Sequence, residues 1–131
     1  MKTIEEVRLF FQNDRFATEN GMVIDEIGEN YAKCSMMITS RHKNAVGGVM
    51  GGVYFTLADF CYAVATNHQE PKWVSLNSTI SFLGRPKGER LIATATCVKN
   101  GRSTNLYTVA VTDELKNLVA TISITGFATK S

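Results

Sequence analysis

The spacing of apolar residues along this chain changes period three times. Ile4, Val7, Phe10 and Phe11 recur at helical spacing, and Thr3 followed by Glu6 has the form of a capping box. A short amphipathic helix is therefore expected, giving way to polar residues from Gln12 onward. Between Met22 and Thr39 lie two β-prone runs, MVIDEI and YAKCSMMIT, divided by Gly28, Glu29 and Asn30, which predicts a hairpin. Next comes RHKNAVGGVMGG, whose four glycines within six positions suit a loop that lets another group approach its backbone.

From Val53 to about His68 the chain has neither Gly nor Pro, and Leu57, Ala58, Cys61 and Ala65 fall on one helical face. This stretch is expected to be the single long helix, roughly 24 Å from end to end, crossing a sheet and stopped by Pro71. Four strand-like runs follow: WVSLNSTISFL, ERLIATATCVK, STNLYTVAVTD and LVATISITGFA. Asn100 and Gly101 are the most specific hairpin signal, between the second and third of these, and ELKN joins the last pair. Consecutive antiparallel strands with one helix on one face define an α+β domain rather than a doubly wound one. Without an internal repeat, low-complexity tract or linker, residues 1–131 read as one domain.

Composition sharpens this picture. With 44% hydrophobic and 20% charged residues, a chain of 131 residues builds one core, but at that length it leaves much surface exposed unless copies associate. A formal charge of +2 with scattered Lys and Arg argues against a nucleic-acid partner. Cys34, Cys61 and Cys97 have spacings that fit neither a zinc site nor a disulfide framework, so a reducing cytoplasm is expected and no metal. No secretory leader is recognisable, and no apolar run approaches the roughly 20 residues that cross a bilayer.

The segment HKNAVGGVMGGVYFTLAD holds the candidate chemistry: a glycine-rich loop enters a helix carrying a carboxylate, Asp59, seven residues past the last glycine. Amides of Gly51 and Gly52 at a helix start can be unpaired donors, and the helix dipole favours an oxygen gaining negative charge there, which suits acyl transfer. The glycines alone fit a tight turn equally well. Asp59 shares a helical face with Phe55, Tyr62 and Thr66, off the main apolar stripe, and taken alone fits a solvated or ion-paired residue. Beside a partly dry pocket, desolvation would raise its pKa toward the range of a general base.

These residues resemble the hotdog-fold acyl-CoA thioesterases of the phenylacetic-acid-degradation type. The resemblance spans nearly the whole chain and is most specific where the pattern N-x-x-G-x-x-H-G-G followed by L-A-D appears as Asn44, Gly47, Met50, Gly51, Gly52, Leu57, Ala58 and Asp59. SLNSTISFL from Ser75 to Leu83 and KNGR from Lys99 to Arg102 match further. The resemblance implies an antiparallel sheet wrapped around one long central helix, with a homodimer sharing its active sites and pairing again into a homotetramer. It implies that the Gly51 amide polarises a thioester carbonyl, Asn44 orients water or thioester, and Ser75 lines the site. Asp59 of the facing subunit would act as general base or nucleophile, with no cofactor beyond the CoA of the substrate. One position departs: where the family carries histidine, this chain has Met50, which cannot donate a hydrogen bond.

CoA phosphates call for local cations. Arg85, Lys87, Lys99 and Arg102 are the candidates, with Gly52 and Ser103 completing the expected substrate contacts, and Phe60, Tyr62, Trp73 and Phe82 as pocket walls. Each fits an ordinary surface or core role as well. Cys61 with His42 or His68 lacks a cysteine-hydrolase signature, G-x-S-x-G is absent, and GGVMGG lacks the Lys and Ser or Thr of a P-loop. A hydratase, or an acyl-CoA sensing module without catalysis, remains as an alternative on the same fold.

Overall fold

The computed structural model describes residues 2–68 and 72–129. In chain order the elements are helices α1 (Ile4–Phe11) and α2 (Arg15–Glu19), strands β1 (Val23–Gly28) and β2 (Tyr31–Met37), helix α3 (Gly51–Asn67), and strands β3 (Trp73–Phe82), β4 (Arg90–Asn100), β5 (Thr104–Asp113) and β6 (Leu118–Ala128). The six strands form one antiparallel sheet in the order β1-β2-β4-β5-β6-β3, wrapped around α3. This is the α+β hotdog architecture expected from the sequence.

Local chemistry explains most of the boundaries. At α1 the Thr3 hydroxyl accepts from the Glu6 amide at 3.2 Å while the Glu6 carboxylate accepts from the Thr3 amide at 2.9 Å, the reciprocal box expected there. Val7 and Phe11 enter the core, whereas Phe10 stays exposed. Helix α2 was not expected: the stretch around it carries no apolar periodicity, and of its five residues only Ala17 is buried. Gly21 ends it in the left-handed region at φ 85°, with the Met22 amide donating to the Ala17 carbonyl. The β1–β2 turn is the two residues Glu29 and Asn30, the asparagine taking φ 55°.

The β4–β5 hairpin corrects one detail. Asn100 is still strand, paired with Asn105, and the loop is Gly101–Ser103 rather than an Asn-Gly turn. Gly101 serves close approach: a Cβ there would stand 2.8 Å from the Thr104 carbonyl oxygen, to which the Gly101 amide donates.

Helix α3 begins at Gly51, two residues before the expected Val53, and ends at Asn67 with His68 as its cap. Pro71, expected to stop it, lies outside the described residues. Leu57, Ala58 and Cys61 are fully buried, and the Cys61 thiol donates to the carbonyls of Ala32 and Ala93, tying the helix to β2 and β4. The buried face is broader than the predicted stripe, because the sheet curls round the helix and also covers Phe60, Tyr62, Val64 and Thr66. What stays open is a narrow strip through Gly52, Phe55, Thr56, Asp59 and Ala63. Among the described residues no helix is long and apolar enough to cross a membrane.

Candidate active site

Before α3 the chain closes a small loop on itself. Lys43 and Val49 form an antiparallel bridge, the Asn44 amide donates to the Gly48 carbonyl at 2.8 Å, and Gly47 supplies φ 88°. The Asn44 side-chain oxygen accepts from the amides of Val46 and Gly48, both at 3.1 Å, so this asparagine braces the loop from inside. The Met50 amide donates to the His42 carbonyl, and Met50 then stands at the N-cap of α3 without a side-chain hydrogen bond to the helix. The first-turn amides of Gly51 and Gly52 have no partner among the described residues.

Both glycines are pressed by neighbours. A Cβ on Gly51 would meet the Phe82 ring at 2.9 Å, and one on Gly52 would meet Met50 Cε at 3.0 Å. A pocket of about 280 Å³ opens at this helix end, lined among others by Asn44, Gly48, Gly51, Tyr54, Phe82 and Arg85. A smaller one of about 190 Å³ continues past Gly47, Gly48 and Arg85 to Lys43 and Pro86. Asn44, Gly51, Arg85 and Phe82 are thus together; Met50 and Gly52, though next to Gly51 in the chain, line neither pocket; Lys43 and Tyr54 were not singled out by pattern alone.

Arg85 and Lys87 project from the β3–β4 connection, which is held from beneath by two acidic residues that the sequence did not single out. The buried Asp113 carboxylate accepts the Lys87 and Gly88 amides at 2.7 and 3.0 Å and those of Leu115 and Asn117 at 3.0 and 2.9 Å. Burial alone would push its carboxyl up, but bonds from Asn117, Lys87 and Gly88 prevail and hold it well below the usual carboxylate range. Glu114 accepts the amides of Glu89 and Arg90. No sequence spacing signals this, because partners some 25 residues apart meet only when β4 and β5 pair.

Asp59 is half-buried on the open strip of α3. Desolvation raises its pKa, and the negative charge of Asp14 adds to that shift. It lies eight residues from Gly51, roughly 12 Å along the helix axis, and does not line the Gly51 pocket. Ser75 is exposed on β3, paired with Gly126 of β6 just before a bulge. β3 itself is a free edge of the sheet.

Arg102 and Ser103 stand on the β4–β5 loop, at the opposite end of the sheet from Phe82 and Gly51; ten-residue β5 separates the two ends by roughly 30 Å. Lys99 is near that far end too, opposite Leu106. Within one chain the four candidate cations therefore do not converge. Phe60 lines a different cavity of about 450 Å³ with Arg8, Phe11, Gln12 and Met22, and Tyr62 is buried. Trp73 is half-buried at the start of β3.

The histidines are structural. The His42 Nδ1 accepts the Thr39 amide at 2.9 Å, which leaves Nε2 to donate to the Asn20 carbonyl at 3.1 Å. His68 Nε2 donates to the Gly28 carbonyl at 2.9 Å. Among the described residues there is no group of three metal-ligating side chains.

One antiparallel sheet curled around one long helix defines a hotdog-type protein. A family model described as the thioesterase superfamily matches residues 46–120, and the chain belongs to that superfamily of thioester hydrolases. It is 31% identical to the acyl-coenzyme A thioesterase PaaI of Escherichia coli K12 over 91% of this chain and 86% of that protein. Its fold matches the structure of the E. coli PaaI protein of the phenylacetic acid degradation operon with a TM-score of 0.88, covering 94% of this chain and 90% of that one at 27% identity. A Streptococcus mutans protein solved bound to acetyl CoA matches with a TM-score of 0.79 at 27% identity, over 85% of this chain and 90% of that one.

Proposed function

We propose that this protein is an acyl-CoA thioesterase that converts acyl-S-CoA and water to a carboxylate and free CoA, in a site completed by a second copy of the chain. The observation that carries this reading is the separation of its two chemical halves. The oxyanion-type amides of Gly51 and the carboxylate of Asp59 lie on one helix yet too far apart to act on one carbonyl, while Asp59 sits on the strip that the sheet leaves open.

The free β3 edge supports the pairing. It exposes Val74 and Leu76 beside unpaired backbone groups, a surface that invites a strand from another molecule. Two β3 strands paired about a two-fold axis run antiparallel, which would bring the Gly51 end of one chain toward the Arg102 end of its partner. Cations that do not converge within a chain, Arg85 and Lys87 against Arg102 and Ser103, would then flank one CoA. We read the oligomer as a homodimer with shared sites, associating further into a homotetramer, and the chain as a single hotdog domain acting in the cytoplasm without a cofactor.

In this site the thioester carbonyl oxygen points at the Gly51 amide. Acting as a base, Asp59 takes a proton from water as the water oxygen attacks the carbonyl carbon. The oxyanion re-forms the carbonyl, the C–S bond breaks, and the proton passes to the leaving thiolate. Acting as a nucleophile, the carboxylate would instead displace the thiolate to give an anhydride that water then cleaves. The raised proton affinity of Asp59 favours the basic role. Asn44 shapes the loop and offers its amide nitrogen to water or thioester, and Ser75 lines the far wall.

The test is a panel of aromatic, short and medium-chain acyl-CoA substrates assayed for thiol release, with Asp59→Asn alongside. Release by the wild type and its loss in the variant, with acyl-CoA binding retained, is the expected result. Binding without release would make the protein a sensing module, the reading that Met50 favours; hydration without release would make it a hydratase. Undiminished turnover in Asp59→Asn would remove this carboxylate from the mechanism.

A further inference from the structure

The Gly51 pocket contains one side-chain donor on the same rigid element as the glycine amides, and the reaction scheme above does not use it. Tyr54 stands one turn into α3, and side chains on a helix lean back toward its N-terminus, over the preceding turn. Its phenol therefore lies toward Gly51. The Phe82 ring, which rests on Gly51, is also packed against Tyr54, with centroids 6.3 Å apart. Only 5% of Tyr54 is exposed, so the ring is fixed in place.

Its hydroxyl makes no hydrogen bond to protein among the described residues, yet it is not among the sealed unpaired atoms, which are His68 Nδ1 and Asn105 Nδ2. The contrast with Tyr62, whose hydroxyl donates to Asn105 at 2.9 Å, is direct. An immobile ring presenting a free hydroxyl to a pocket is an arrangement for meeting a ligand. Burial pushes the Tyr54 phenol above its ordinary value and the nearby Arg85 guanidinium pulls the other way; at neutral pH it is a protonated donor. The other pocket donors are less suited. Met50 has none to give, the Asn44 amide nitrogen is already assigned to water or thioester while its oxygen braces the loop, and Arg85 is on an exposed connection.

We propose that the Tyr54 hydroxyl donates a hydrogen bond to the thioester carbonyl oxygen beside the Gly51 amide, forming with it a two-donor oxyanion site. This rests on the thioesterase reading of the pocket. As water or carboxylate attacks, the carbonyl π electrons move onto that oxygen, and both donors strengthen their bonds to it; neither gives up its proton. A donor that binds the transition state better than the substrate acts on kcat more than on KM.

The experiment compares the full-length wild type with Tyr54→Phe on the best acyl-CoA of the panel, recording kcat, KM and the thermal midpoint. The variant is expected to lose roughly tenfold to a hundredfold in kcat, with KM changed by less than about twofold. Its thermal midpoint should match the wild type, because the missing oxygen bonds nothing in the protein. An active wild type with an undiminished Tyr54→Phe overturns this proposal and leaves the thioesterase reading standing. So does a loss of activity that tracks a lowered midpoint or falls entirely on KM. A wild type that releases thiol from no acyl-CoA overturns the reading and this proposal together.

Discussion

Replacing Gly126 with alanine tests the packing beneath the edge strand. Gly126 lies in β6, flanked by Ser75 of β3 and Asn105 of β5, on the side of the sheet that faces α3. A Cβ built there would stand 1.6 Å from Tyr62 Oη and 2.5 Å from Asn105 Oδ1, distances no relaxation of a tenth or two of an ångström repairs. Tyr62 is 2% exposed and its ring meets Tyr107 edge to face at 5.4 Å, so it has nowhere to swing. Two costs follow. Overpacking a filled core costs roughly 1–3 kcal/mol, and breaking the buried Tyr62–Asn105 bond leaves polar atoms unsatisfied at roughly 1–3 kcal/mol more. The expected destabilisation is about 2–6 kcal/mol, or on the order of 10–25 °C in thermal midpoint for a domain of this size. Urea denaturation followed by circular dichroism, with the midpoint and slope fitted separately, measures it. Adding Tyr62→Phe removes the clashing oxygen and should recover part of the loss, which a double-mutant cycle would reveal as strong coupling. A Gly126→Ala protein within about 1 kcal/mol of wild type would refute this account of the packing.

Asp59→Asn, expected to abolish turnover, should at the same time raise stability at neutral pH. The fold raises this carboxyl's proton affinity, so its charged form costs stability above the folded pKa, and amide replacement relieves that; a lowered thermal midpoint would contradict the desolvated environment. Asp113 behaves oppositely. Its proton affinity is depressed in the fold, so it contributes stability above the unfolded value of about 3.9 that is lost as pH falls toward the folded one. Acid titrations of wild type and Asp113→Asn should therefore converge, and curves that stay parallel would show that Asp113 adds no such linkage. Asn44→Ala removes the two amide bonds inside the 44–48 loop and should lower kcat/KM with little change in global stability, since the loop is exposed; equal kcat/KM in the two proteins would make that bracing irrelevant to the site.

Much of the architecture was legible because local chemistry and hydrophobic period agree along most of the chain. The capping box at Thr3, the strand-like run from Trp73 and the uninterrupted apolar helix from Val53 each match the observed element to within a few residues. Helix α2 was not legible: its five residues are too few to show a period, and it is held by docking near His42, whose ring donates to Asn20. The Asn100–Gly101 signal marked the right hairpin but the wrong turn, since glycine there answers to a neighbouring carbonyl rather than to a positive φ.

For the site, the sequence by itself determined the loop of glycines, the unpaired helix start and a carboxylate two turns beyond it, because all three lie within one stretch whose geometry is local. Only the tertiary structure decided what surrounds them. Curling of the sheet turned Asp59 from one face of an amphipathic helix into the narrow uncovered strip of a nearly buried one. Strand pairing put Asp113 and Glu114 beneath the Arg85 loop and sent Arg102 to the opposite end of the sheet. Packing put the Phe82 ring against both Gly51 and Tyr54, and placed Tyr54 in the lining of the pocket at the helix start. Such facts depend on contacts between residues far apart in the chain, and no periodicity along a single segment encodes them.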